Sequence, residues 1–210
     1  MIKVLDYGMG NTASMQNMIR KAGGNAELCS SPDEIESASA IILPGVGSFD
    51  NGLKKLENSG LLEALHYKVI NEKVPFLGVC LGMQLLFEKS EEGGLSGLGW
   101  LKGNVTRFNF SNTQSSKHLK VPHMGWNLVY PKVYGNLFAG LEDEARFYFV
   151  HSYFVNCANP SDVLATAKYG HEFTCSVRRD NIWGAQFHPE KSHRFGIQFF
   201  KNFLKEIDHA

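Results

Sequence analysis

Apolar residues in the first ninety positions fall into short runs separated by helical spacings. Ile2–Leu5 and Ala26–Cys29 are brief strand-like segments, residues 40–43 are apolar throughout, and residues 74–79 form a fourth run. Between them, residues 12–22 place Met15, Met18, Ile19 and Ala22 at intervals of three and four and stop at Gly23-Gly24. Residues 49–57 and 61–71 repeat that period and are broken at Ser59-Gly60. Residues 81–89 extend the same reading beyond the fourth run. Short apolar runs bounded by turn residues read as strands, and a 3.6-residue period reads as helix. This alternation predicts a parallel sheet wrapped by helices on both faces.

The pattern changes past residue 100. Residues 105–108, 145–150, 153–156, 163–168, 174–179 and 182–187 are short strand-like runs with turn residues between them. They predict an antiparallel extension, and residues 193–207 close the chain as an amphipathic helix. Residues 110–120 are polar and read as a loop. The expected fold is α/β: a mostly parallel open sheet flanked by helices, flavodoxin-like, with an antiparallel extension. At 210 residues, with no repeat or linker, one domain over 1–210 is expected.

Composition narrows the function. Hydrophobic residues make up 43% and charged residues 20% of the chain, values usual for a globular protein. Lys plus Arg equals Asp plus Glu at 21 each, so no net field recommends nucleic acid or an anionic membrane as partner. The N-terminal Met-Ile-Lys-Val-Leu-Asp reads as a strand rather than a signal peptide, and no apolar run has the length of a membrane helix. Cys29, Cys80, Cys157 and Cys175 are widely spaced with no CxxC pair, which points to reduced thiols in the cytoplasm. His66, His118, His171 and His209 are isolated, and no metal site is expected. The segment 6–11 holds Gly-x-Gly without the third glycine of a dinucleotide fingerprint, so no cofactor is expected either.

The chemistry concentrates at Pro75-Phe-Leu-Gly-Val-Cys80-Leu-Gly-Met-Gln84, where an apolar run ends in Gly-x-Cys-x-Gly and passes into a helix. That is the pattern of a nucleophile elbow: a side chain on a tight strand-to-helix turn, flanked by glycines because a Cβ there would collide across it. The start of a helix also favours thiolate over thiol. Downstream, Trp183-Gly-Ala-Gln-Phe-His188-Pro-Glu190 places a histidine and a carboxylate two residues apart on an extended chain, on one side, so Glu190 can orient an imidazole that activates Cys80. Either half alone is equally readable as a packing turn or a surface turn. Together they spell a Cys-His-Glu triad. Sites in open parallel sheets collect at the carboxyl ends of strands. There, Gly45-Val46-Gly47 can aim an N–H at a developing oxyanion, with the Leu81 amide as second donor.

These motifs resemble class I (triad) glutamine amidotransferases. Within that group Asp6-Tyr-Gly-Met-Gly-Asn11, Val121-Pro-His-Met-Gly-Trp-Asn127, Phe147-Tyr-Phe-Val-His-Ser-Tyr153 and His188-Pro-Glu-Lys-Ser192 resemble the glutaminase subunits of imidazole glycerol phosphate synthase. The resemblance implies hydrolysis of L-glutamine by Cys80, His188 and Glu190, with Val46 and Leu81 at the oxyanion. It further implies that Gly45, Gly47, Gln84, Ser152 and Tyr153 contact glutamine. Ammonia would pass to a separate (β/α)8-barrel synthase subunit in a heterodimer serving histidine biosynthesis, docked through Asn11, Trp126 and Lys191. Thr12 stands where the family usually has leucine, a departure at the docking face. Two alternatives stay open: a paralogue supplying ammonia for sugar amidination in surface-polysaccharide pathways, and a peptidase-like Cys-elbow hydrolase.

Overall fold

The computed structural model describes residues 1–110, 119–132 and 135–208. Chain order is β1 (Ile2–Leu5), α1 (Thr12–Lys21), β2 (Ala26–Cys29), α2 (Pro32–Ile35), β3 (Ala40–Gly45), α3 (Phe49–Asn58), α4 (Leu61–His66), β4 (Phe76–Cys80) and α5 (Leu81–Gln84). There follow β5 (Lys89–Ser90), β6 (Gly103–Arg107), β7 (His123–Pro131), β8 (Arg146–His151), β9 (Tyr153–Cys157), β10 (Val163–Tyr169), β11 (His171–Arg179), β12 (Ile182–Ala185) and α6 (His193–Asp208).

The open sheet runs β2-β1-β3-β4-β12-β11-β10-β7-β8, with β9, β6 and β5 branching from β11. Strands β2, β1, β3, β4 and β12 are parallel, and the remainder of that path is antiparallel. The two halves of the sequence thus join at β12, whose chain end lies next to that of β4: Ala185 pairs with Val79, and on the other side Gly45 of β3 pairs with Cys80.

Each face of the sheet carries its own apolar layer. Met15, Met18 and Ile19 of α1 and Phe195, Phe199 and Phe203 of α6 pack with Phe147, Phe149 and Phe187 on one side. Phe49, Leu53 and Leu56 of α3 and Leu61 and Leu65 of α4 pack on the other. Fully burying one such side chain contributes roughly 1.5–3 kcal/mol, so the helix periods read from sequence are the stripes that hold the layers in place. No helix among the described residues is long and apolar enough to cross a membrane.

Two expectations need correction, and one strand was not expected. The helix expected over 81–89 stops at Gln84. The carbonyls of Leu85, Leu86 and Phe87 instead accept bonds from Leu98, Leu101 and Gly99 N–H groups, so a downstream loop takes the acceptors a longer helix needs. The run 182–187 leaves regular strand at Ala185, ahead of the Pro189 turn. Strand β7 has only Val129 as a buried apolar residue on its inner face, beside His123 and Asn127, while Met124, Trp126 and Tyr130 face out, so its alternation gives no strand signal. The polar stretch 110–120 falls mostly outside the described residues, as do His118 and His209.

Candidate active site

Cys80 is the last residue of β4, buried between β3 and β12, with φ 54° and ψ −108°. A non-glycine residue there stores on the order of 1–3 kcal/mol of strain, held by the surrounding ladders. The flanking glycines are sterically required. A Cβ on Gly78 would lie 2.6 Å from the Gly82 carbonyl oxygen, and one on Gly82 would collide with the Leu43 carbonyl oxygen. The elbow read from Gly-x-Cys-x-Gly is therefore a backbone fact.

His188 follows β12 and is fixed by its backbone. Its N–H donates to the Tyr148 carbonyl at 2.8 Å, and its own carbonyl accepts from Ser192 Oγ at 2.7 Å. It is extended at φ −103°, ψ 92°, whereas Glu190 lies in the 3-10 turn Pro189–Lys191 that Pro189 starts. The turn still brings the pair together, with Nδ1 of His188 2.8 Å from Glu190 Oε1 and both side chains almost wholly buried. Burial works against a charged imidazole. The Cys80 sulfur as thiolate, and then the Glu190 carboxylate, outweigh it and raise the His188 pKa to about 10. Nε2 of His188 makes no hydrogen bond, while Cys80 Sγ accepts from Gln186 Nε2 at 3.7 Å and lies 4.0 Å from the Val150 carbonyl.

In front of the sulfur is a cavity of about 290 Å³. It brings together Val46, Gly47, Cys80, Leu81, Gln84, Ser152 and Tyr153 from three separate stretches of sequence. Gly45 lies behind it, lining with Asn11, His188 and Glu190 a void of about 10 Å³. Asn11 also caps α1, its Oδ1 accepting from Ser14 N–H. Lys191 is exposed with Nζ 5.9 Å from the Tyr148 ring centre, and the half-exposed Trp126 stands edge-on to Tyr148 and stacks on His193. A larger groove of about 1140 Å³ beside α2, α4 and Trp100 contains no part of this constellation.

Sequence reading missed three residues here. Glu92 lines the cavity with one carboxylate oxygen held by the Phe49 N–H at 2.8 Å; nothing local distinguishes it from Glu91. Gln186 is fully buried against the sulfur, and its place two residues before His188 was the available signal. His151 lines the cavity and bonds to His123, Nε2 to Nδ1, at 2.9 Å. Among the described residues no cluster of His, Cys, Asp or Glu could hold a metal ion.

The two buried imidazoles make stability acid-sensitive. Desolvation lowers the pKa of His123 to about 4 and that of His151 to about 3, against a usual 6.5. Below pH 6.5 the unfolded chain takes up protons that the folded chain refuses, so the stability from these neutral rings is whole above 6.5 and falls as pH drops toward 4. His188 acts in the opposite sense, between about 10 and 6.5, and does not offset the loss on the acid side. Unfolding free energies from denaturant titrations at pH 7, 6 and 5 are expected to fall slightly between 7 and 6 and then to approach a slope of about 1.4 kcal/mol per pH unit for each ring below 6.5. A His151→Phe variant should show the shallower slope; equal slopes would refute the assignment.

Comparison with known proteins agrees with this fold. The family model "Glutamine amidotransferase class-I" matches residues 3–207. The chain is 48% identical over 206 residues to imidazole glycerol phosphate synthase subunit HisH 2 of Methanococcus maripaludis, covering 98% of this chain and 100% of that one. The HisH 2 subunit of Pseudomonas aeruginosa is 47% identical over 207 residues, 99% and 100% of the two chains. The HisH subunit of Bdellovibrio bacteriovorus is 48% identical over 203 residues, 97% and 98%. A crystal structure of a glutamine amidotransferase superposes with a TM-score of 0.73 over 99% of this chain and 98% of that one at 19% identity, a likeness of fold alone. The protein belongs to the class-I glutamine amidotransferase family.

Proposed function

We propose that this chain is the glutaminase subunit of an imidazole glycerol phosphate synthase, in which Cys80, His188 and Glu190 hydrolyse L-glutamine to glutamate and ammonia. The observation that carries the reading is the strained Cys80 at the floor of an amino-acid-sized cavity, with a His188–Glu190 pair held at 2.8 Å behind it. At about 290 Å³ the cavity sits at the small end of ligand pockets, which suits a free amino acid.

The Cys80 thiolate attacks the side-chain amide carbon of glutamine, forming an S–C bond as the carbonyl electrons move to oxygen. Backbone N–H groups of Val46 and Leu81 receive that oxyanion. His188, charged at neutral pH, gives its Nε2 proton to the departing nitrogen; the C–N bond breaks and ammonia leaves. The neutral ring then takes a proton from water, which attacks the thioester and releases glutamate and the thiolate. Glu190 keeps the ring oriented throughout. Glu92 offers a carboxylate to the α-ammonium of glutamine, and Gln84, Gly47, Ser152 and Tyr153 shape the rest of the site, with Gly45 behind them supporting the oxyanion loop.

The ammonia passes to a (β/α)8-barrel synthase partner in a cytoplasmic heterodimer, docked on the side where Asn11, Trp126 and Lys191 lie. The test is coupled turnover: the chain, a barrel subunit and its amino acceptor together should consume glutamine and form glutamate and aminated product one to one. Glutamine left intact would overturn the glutaminase reading. Turnover that couples only to a sugar acceptor would move the protein to the polysaccharide pathway.

A further inference from the structure

A chain of hydrogen bonds outside the triad ends on the nucleophile, and its polarity is fixed from both ends. Asn127 Nδ2 donates to the Lys168 carbonyl at 2.9 Å and meets His123 Nε2 at 3.2 Å, so that ring nitrogen accepts. His123 Nδ1 then carries the proton toward His151 Nε2, 2.9 Å away, and His151 Nδ1 donates to the Tyr153 carbonyl at 2.8 Å. A carbonyl only accepts, so the Gln84 atom 3.1 Å from Tyr153 O is its amide nitrogen. The same nitrogen meets the next amide at 3.0 Å, which places Gln186 Oε1 there and turns Gln186 Nε2 toward Cys80 Sγ at 3.7 Å. No other orientation of the two amides satisfies both contacts.

We propose that Gln186 is a positioning residue for the nucleophile, its amide N–H holding the Cys80 sulfur as thiolate while Gln84 fixes which end of the amide it presents. A donor aimed at sulfur favours the charged form, because a hydrogen bond to an ion is stronger than one to a neutral thiol. Gln186 has no exposed surface, so water does not compete for the bond. The charged His188 faces the same sulfur and favours thiolate as well, and the Tyr7 hydroxyl beside it, pushed up by burial, stays neutral, so the Gln186 bond adds to an electrostatic pull already present. Gln186 thereby steadies the sulfur while His188 keeps its proton for the leaving nitrogen. The proposal rests on Cys80 being the nucleophile, but its test needs no glutamine turnover.

The experiment is the pH dependence of iodoacetamide alkylation at Cys80, followed by mass spectrometry of the peptide that contains it. In Gln186→Met, of similar length without the donor, the midpoint should rise by about one pH unit, or about tenfold less thiolate below it. Gln186→Glu keeps an acceptor for Gln84 but sets a carboxylate against the sulfur, and should move the midpoint at least as far. In that variant kcat for glutamine should fall about tenfold with KM within about twofold, a split that general loosening of the cavity would not give. In the unmodified chain, the Gln186 side-chain amide resonances should shift with the Cys80 titration and lose that shift in Cys80→Ser. Unmoved alkylation midpoints in folded variants, or amide resonances blind to the titration, would overturn the proposal. Shifted midpoints in a chain that never hydrolyses glutamine would leave this bond standing and remove the glutaminase reading.

Discussion

Replacing Cys80 with alanine or serine is expected to abolish ammonia release from glutamine while the fold persists. Loss of a nucleophile in a triad costs several orders of magnitude in turnover, on the order of 10⁴ to 10⁶. The fold should survive because the elbow is set by its surroundings. Gly78 and Gly82 make the close approach to neighbouring backbone, and the ladders to β3 and β12 hold β4 on both sides. Alanine or serine at position 80 inherits the same backbone angles and leaves little void. Serine retains shape but not an acidic thiol, and a hydroxyl is a far weaker nucleophile at neutral pH. The measurement is steady-state glutamate formation beside circular dichroism and a thermal melt. Turnover near the wild-type rate in either variant would sink the triad.

The second large effect concerns coupling between subunits. The lone chain should hydrolyse glutamine slowly, and the rate should rise about a hundred- to thousand-fold once the synthase partner is docked and its acceptor bound. The loop 44–47 supplies the two-state element. It is tethered at Pro44, whose carbonyl accepts from the buried Tyr7 hydroxyl at 2.8 Å. Beyond that tether Val46 is 46% exposed and Gly47 sits at φ +116°, so the peptide units between them can turn over at little steric cost. One orientation presents an N–H to the oxyanion and the other a carbonyl. Gaining one good donor is worth roughly 3–4 kcal/mol in the transition state, which sets the expected factor. A partner that contacts Lys191, one residue from Glu190 and over the Tyr148 ring whose backbone carbonyl holds His188, bears on the same centre. It shifts the equilibrium only by its differential affinity for the two loop states. Rates for the chain alone, the complex, and the complex with an acceptor analogue decide the matter. A fully active lone chain would refute gating and leave the triad untouched.

The parallel half of the fold was legible because its strands are short apolar runs and its helices carry regular stripes; β1, β2, α1 and α3 lie where periodicity puts them, within a residue or two. The elbow was legible for a stronger reason. Gly-x-Cys-x-Gly is a steric demand written into consecutive residues, and the structure meets it with a Cys80 φ of 54°. His188 and Glu190 were readable because Pro189 restricts the backbone between them, even though the chain turns there instead of running on as a strand.

What the sequence by itself determined, then, is whatever neighbours along the chain enforce on one another: periodic stripes, glycine-flanked turns and the Pro-fixed His-Glu pair. Only the tertiary structure decided which distant residues share one space. β7 escaped notice because the inner face of its first half serves a buried histidine pair, a purpose that hydrophobic alternation does not encode. Helix α5 is short because a downstream loop takes the carbonyls of Leu85, Leu86 and Phe87. Glu92 reaches the cavity because the distant Phe49 N–H holds its carboxylate, and Gln186 reaches the sulfur, with Gln84 and Tyr153 setting its orientation, because β4 and β12 lie side by side although about a hundred residues part them in sequence. Hydrogen bonds of that kind depend on distances across the sheet, and no local pattern of residues carries those distances.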